Sequence, residues 1–303
     1  MKIGVLVMAH GTPSSPEGIE PFYTRIRRGS PPTPEQLADL TRRYLAIGGT
    51  SPLTERTAAQ VAGVAAALEA EAPGAFDVRY GSKFEPPLLE EAAQSFRDEG
   101  FTKVVGIVLA PHSSSMSTEQ YMSRARVTLG DDVEFIPVGA WYDAPGFLNL
   151  IAERVNDALA TIPASRHATT EVIFSAHSLP EKVVTLGDTY PEQLKESAVL
   201  AAEIAGVHSS DVAWQSAGRT ADPWLGPDIL VALREKRAQG FTDVVSCPIG
   251  FVSDHLEVLF DIDIEAQSVA SEVGLNLVRT ASLNDDPAFM RVLAGVITTA
   301  AGT

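Results

Sequence analysis

The chain has 303 residues, 45% of them hydrophobic, enough for one large or two medium domains around a substantial core. Its 39 acidic and 23 basic residues leave a formal net charge of −16, which argues against nucleic acid as a partner because phosphate binding needs a basic stripe. A single cysteine, Cys247, leaves no disulfide framework, no Cys-x-x-Cys zinc site and too few thiolates for an iron–sulfur cluster, and fits a reducing, cytoplasmic compartment.

In chain order, the first apolar run, residues 3–8, is too short for a signal-peptide core and reads as a buried strand. A basic segment, Tyr23-Thr24-Arg25-Ile26-Arg27-Arg28-Gly29, follows. Thr33-Pro34-Glu35-Gln36 then combines an N-cap, a proline at the first helical position and a glutamine three residues after the cap, so a helix starts there and carries Arg42 and Arg43. Residues 58–72 are alanine-rich but interrupted by Gln60, Gly63 and Glu69, an amphipathic helix of a soluble protein. No window reaches the roughly 20 apolar residues that cross a bilayer, so no transmembrane segment is expected. Further strands are predicted at residues 76–80, 103–109, 133–138, 172–176, 212–215, 243–247 and 275–278, with helical patterns between them. That alternation predicts α/β architecture with open, doubly wound parallel sheets.

Two internal echoes divide the chain. Ala9-His10-Gly11-Thr12-Pro13 and Ala176-His177-Ser178-Leu179-Pro180 both close a strand, and Gly100-Phe101-Thr102-Lys103-Val104-Val105 and Gly240-Phe241-Thr242-Asp243-Val244-Val245 both introduce one. Two matches in the same order predict duplicated Rossmann-like halves. An N-terminal domain is expected over 1–145 and a C-terminal domain over 146–285, with a last helix, 286–303, packing back on the first. Ligands of such folds bind beyond the carboxyl ends of the strands.

His177 occupies such a position, where it either caps a loop or faces a cleft. The segment Ser253-Asp254-His255-Leu256-Glu257 runs into a helix on which Glu257, Asp261 and Glu265 are spaced i, i+4, i+8, one face at steps of about 6 Å. Like charges at that spacing weaken a helix. The row is either a solvated acidic face or a path that draws divalent cations inward. The arginines of the first half suit carboxylate recognition, with surface ion pairing as the alternative.

Taken together, these segments resemble the ferrochelatase family, and in particular its compact soluble type from Gram-positive bacteria, which acts on coproporphyrin. The resemblance runs nearly end to end and is carried most specifically by Ser175-Ala176-His177-Ser178-Leu179-Pro180 and Asp254-His255-Leu256-Glu257, with Ile47-Gly48-Gly49-Thr50-Ser51-Pro52-Leu53 and Asp222-Pro223-Trp224-Leu225-Gly226-Pro227-Asp228 in support. It implies the chelatase fold, with His177 and Glu257 as the catalytic pair at the metal and Asp261 and Glu265 as outer metal-binding acids. It also implies that Arg27, Arg28, Arg43, Ser51 and Tyr121 line the propionate end or rim of the porphyrin cleft. The implied substrates are Fe(II) and a porphyrin, giving Fe-coproporphyrin from coproporphyrin III. Alternatives are insertion into protoporphyrin IX, a cobalt or nickel chelatase, or a non-catalytic tetrapyrrole-binding protein. One departure concerns His10, which stands where soluble relatives carry a tyrosine that coordinates the product iron. A cytoplasmic monomer without an iron–sulfur cluster is expected.

Overall fold

Each predicted apolar run becomes a strand in the computed structural model, which describes residues 2–218 and 220–303. The strands are β1 (Ile3–Ala9), β2 (Phe76–Ser82), β3 (Lys103–Val108), β4 (Glu134–Pro137), β5 (Thr170–His177), β6 (Ser210–Gln215), β7 (Asp243–Cys247) and β8 (Asn276–Arg279). They pair in parallel as β2-β1-β3-β4 and β6-β5-β7-β8. The same order recurs in both sheets, as duplication requires. β1 and β5 are buried along almost their whole length, because helices cover both faces of a parallel sheet and leave no solvent side for polar alternation.

The second echo has a local cause. Gly100 and Gly240 take φ of +77° and +98° just past helix ends, and their amides bond Arg97 O and Arg237 O at 3.0 and 3.1 Å. A residue with Cβ resists that left-handed backbone, so glycine ends both helices and turns the chain into β3 and β7. The capping box forms as predicted. Thr33 Oγ1 accepts from Gln36 N at 3.3 Å, Gln36 Oε1 accepts from Thr33 N at 3.0 Å, and the helix runs over Pro34–Ala46.

One hydrophobic cluster joins Val5 and Val7 of β1 to Val172 and Phe174 of β5, through Phe147, Leu194 and Leu293 of the intervening helices. Pro145–Ala160 packs on Tyr190–Ala205, whereas the last helix, Pro287–Ala301, packs on Leu53–Glu71, and Lys103 Nζ donates to Ala301 O at 2.7 Å. Phe147, Phe174 and Phe289 are wholly buried in this cluster. At about 1.5–3 kcal/mol for each fully buried large side chain, these packed faces hold the carboxyl ends of β1 and β5 in fixed relation. No helix among the described residues is long and apolar enough to cross a membrane.

Candidate active site

His177 is the last residue of β5, and Glu257 lies in the first turn of the short helix Leu256–Phe260 that follows β7. Gly250 brings them together. Its amide donates to Ser175 O at 3.0 Å, and a Cβ there would lie 2.4 Å from that of Ala176, so only glycine lets the loop lie against the end of β5. Gln215, 1% exposed at the end of β6, completes the brace. Its side chain accepts from Ser175 Oγ at 2.9 Å and donates to Glu257 O at 3.0 Å. Tyr190 Oη donates to His177 O at 2.9 Å.

The resulting geometry is a carboxylate between two imidazoles. His177 Nε2 lies 3.6 Å from one oxygen of Glu257, and His255 Nε2 lies 3.6 Å from the other. Both histidines commit Nδ1 to a carbonyl, that of Ser178 for His177 and that of Ser253, at 2.9 Å, for His255. A carbonyl only accepts, so both Nδ1 atoms carry hydrogen and both Nε2 atoms are left to face the carboxylate with either a proton or a lone pair. This is the orientation in which a backbone carbonyl fixes the tautomer of a metal-ligating histidine. Burial disfavours charge on both members of the central pair, yet their mutual attraction wins: Glu257 holds His177 up at about 9, and His177 with His255 holds Glu257 well below the usual carboxylate range. Without metal, the pair is an imidazolium facing a carboxylate.

Beyond Glu257 the expected regular helix is interrupted. Leu256–Phe260 is α-helical, Asp261–Ala266 is a π turn, and Gln267–Val273 is α-helical again. A spacing of four overshoots an α turn but falls short of a π turn, so the change of winding straightens the row Glu257, Asp261, Glu265. Asp261, 6% exposed, accepts from Ser216 Oγ, and its other oxygen lies 3.7 Å from Arg43. Burial pushes its carboxyl up to about 7, reinforced by the charges of Glu257 and Glu265 and opposed by Ser216 and Arg43. Among the described residues, no three His, Cys, Asp or Glu side chains already form a metal cage.

The other candidates divide. His10, just beyond β1, donates Nδ1–H to Gly11 O at 3.1 Å and packs between Phe22 and Phe84, at centroid distances of 5.8 and 4.8 Å. Burial depresses its pKa, and the charges of Lys83 and His177 add to this against the pull of Glu257, so His10 is a neutral imidazole with Nε2 unprotonated. Arg27 sits over Tyr23 at 5.8 Å, and Arg28 occupies a left-handed turn with φ of 56°. Arg43 stands apart from them on Pro34–Ala46, directed at Asp261 and paired with Asp39 at 3.1 Å. Ser51 is buried and accepts from Leu53 N at 3.3 Å at the start of the helix Leu53–Glu71. Tyr121 is buried beneath Lys83.

His255, Gln215 and Lys83 carried no sequence expectation of a site role. His255 lay in view inside Asp254-His255-Leu256-Glu257, and Lys83 follows directly on β2, the strand-end position that singled out His177. A cavity of about 250 Å³ is lined by His112, Glu119 and Val138, and one of about 300 Å³ by Ser115, Glu119 and Asp188; neither is lined by His177 or Glu257.

A family model described as Ferrochelatase matches residues 2–301. A protein from Halalkalibacterium halodurans named coproporphyrin III ferrochelatase is 45% identical, the alignment covering 98% of this chain and 96% of the relative. One of the same name from Bacillus subtilis is 44% identical over 98% and 97%. A protein from Herpetosiphon aurantiacus named ferrochelatase is 43% identical over 98% of both. Among solved structures, a sirohydrochlorin chelatase from Bacillus subtilis subspecies spizizenii in complex with cobalt superposes with a TM-score of 0.59 at 12% identity, over 100% of this chain and 96% of that one. At that identity the likeness concerns the fold alone.

Proposed function

Because this chain belongs to the ferrochelatase family, we propose that it inserts ferrous iron into coproporphyrin III, with His177 and Glu257 as the reacting pair. The observation that carries the reading is the pair itself, His177 Nε2 at the end of β5 facing Glu257, on the short helix beyond β7, at 3.6 Å. The coproporphyrin assignment draws on the names of the relatives at 42–45% identity. It also suits four propionates meeting the cationic side chains of the first half.

Metallation must strip water from iron and remove two pyrrole protons. Glu265 and Asp261 receive hydrated iron on the straightened acidic row, and Asp261, near 7, sheds its proton readily as a cation arrives. Iron then reaches Glu257. Its positive charge offsets the carboxylate that kept His177 protonated, so His177 releases its proton to solvent, takes one from a pyrrole as a neutral base, passes that proton to solvent and then takes the second. Arrival of the metal thus prepares the base. His10, neutral and with Nε2 free, is the axial ligand for product iron in place of a phenolate. Arg27, Arg28, Arg43, Ser51 and Tyr121 form the rim that holds the macrocycle while its remote contacts offset ring distortion.

We further propose the division into 1–145 and 146–285 with the last helix returning to the first domain, and a cytoplasmic monomer. The test of the reacting pair is His177→Ala, which is expected to abolish metallation while porphyrin still quenches the protein's fluorescence; near-normal turnover would remove His177 from the mechanism.

A further inference from the structure

Just past β2 stands a cation that the chemistry above does not use. We infer that Lys83 receives one carboxylate of the macrocycle and so selects substrates by their acidic side chains. This rests on the reading of the chain as a porphyrin chelatase.

Lys83 is the first residue past the carboxyl end of β2, and its backbone N–H donates to Ala9 O at 2.9 Å, tying it to the residue before His10. Side chains at such strand ends enter the ligand crevice. Its ammonium donates to Gln120 Oε1 at 2.8 Å and lies 4.7 Å from the Tyr121 ring centre and 5.3 Å from that of Phe84. Only one of its three protons is thereby used, and on a neutral acceptor.

The neighbouring cations are neutralised. Arg25 has Glu85 at 2.5 Å and Arg124 has Glu90 at 2.6 Å. Among the described residues, no carboxylate lies within ion-pair distance of Lys83 or Arg28, and the charges that act on Lys83 are those of Arg124 and Arg28, both positive. Burial and these two arginines bring its pKa down to about 8. A half-buried cation without a counter-ion is costly, and an incoming anion removes that cost. A carboxylate fits the need, because it accepts from the free protons of the ammonium in a charge-assisted bond. Phe84, its ring centre 5.3 Å from the ammonium, supplies an apolar wall beside it for the edge of a flat ring.

The test measures binding of coproporphyrin III and of its tetramethyl ester, in the same detergent, by fluorescence quenching for wild type, Lys83→Met, Lys83→Gln and Lys83→Arg. Removal of the charge is expected to weaken the acid about tenfold or more, to leave the ester within about twofold, and to make the acid's affinity less sensitive to salt, with Lys83→Arg recovering most of the loss. If either charge-free variant, whichever folds, binds the acid as wild type does, or loses acid and ester alike, Lys83 does not read a carboxylate. A wild type that binds neither porphyrin sinks the chelatase reading itself, and this inference with it.

Discussion

Replacing Glu257 with Gln keeps the side chain's size and removes the charge that governs His177. In the metal-free protein, burial opposes an imidazolium at position 177, but the Glu257 carboxylate 3.6 Å away, helped by Ser178 O and Asp261, carries the pKa from 6.5 to about 9. At pH 7.5 that leaves roughly thirty protonated His177 side chains for each neutral one. Without the carboxylate, burial is opposed only by the lesser contributions, and the midpoint is expected near or below 6.5, where about one ring in ten is protonated at the same pH. The assay is the pH titration of the His177 ring proton by NMR, its signal identified by its loss in His177→Ala. Stability follows with a definite sign. The contribution of a His whose pKa is raised on folding is complete below about 6.5 and lost as pH climbs through about 9, and that of Glu257, held low, is lost as pH falls through its depressed pKa. The wild type therefore exceeds Glu257→Gln most between about pH 5 and 6.5, the difference shrinks as pH rises further, and the two converge above about 9. A wild-type midpoint near 6.5, or one near 9 that the substitution leaves in place, would refute the coupling.

Two further variants probe the supports. Gln215→Leu leaves the Glu257 carbonyl and the Ser175 hydroxyl without their buried partner, so it is expected to lower unfolding free energy by about 1–3 kcal/mol in urea. It should also depress kcat while porphyrin affinity holds; unchanged stability would show that the brace carries no load. Thr33→Ala removes one half of a capping box on the helix that presents Arg43, for an expected loss of about 1 kcal/mol in the same assay, with metallation little affected.

The strands were legible because parallel sheets buried on both faces spell continuous apolar runs, and the duplication was legible because glycine is demanded at the same left-handed position before β3 and β7. His177 could be singled out because it ends a strand, and Glu257 because it heads a row of acids, but it was the family resemblance of their two segments that joined them as a pair. The π turn could not be read: i, i+4, i+8 is written identically whether the winding between Asp261 and Ala266 is α or π. The approach of Arg43 to Asp261 joins residues 218 positions apart, and no local pattern encodes such a pairing. Lys83 was hidden for a different reason, since what distinguishes it is the absence of a nearby carboxylate, a property of the folded surroundings. His255 stood inside a recognised segment, but its bond to Ser253 O and its position opposite Glu257 appear only with the loop's conformation.

The most direct measurement is the initial rate of ferrous insertion under anaerobic conditions, followed by the porphyrin's absorbance, with coproporphyrin III and protoporphyrin IX compared at equal concentration. Turnover is expected when enzyme and Fe(II) are both present, faster with the four-propionate ring, and none in His177→Ala. Tight porphyrin binding by the wild type with no insertion of iron into either ring would contradict it.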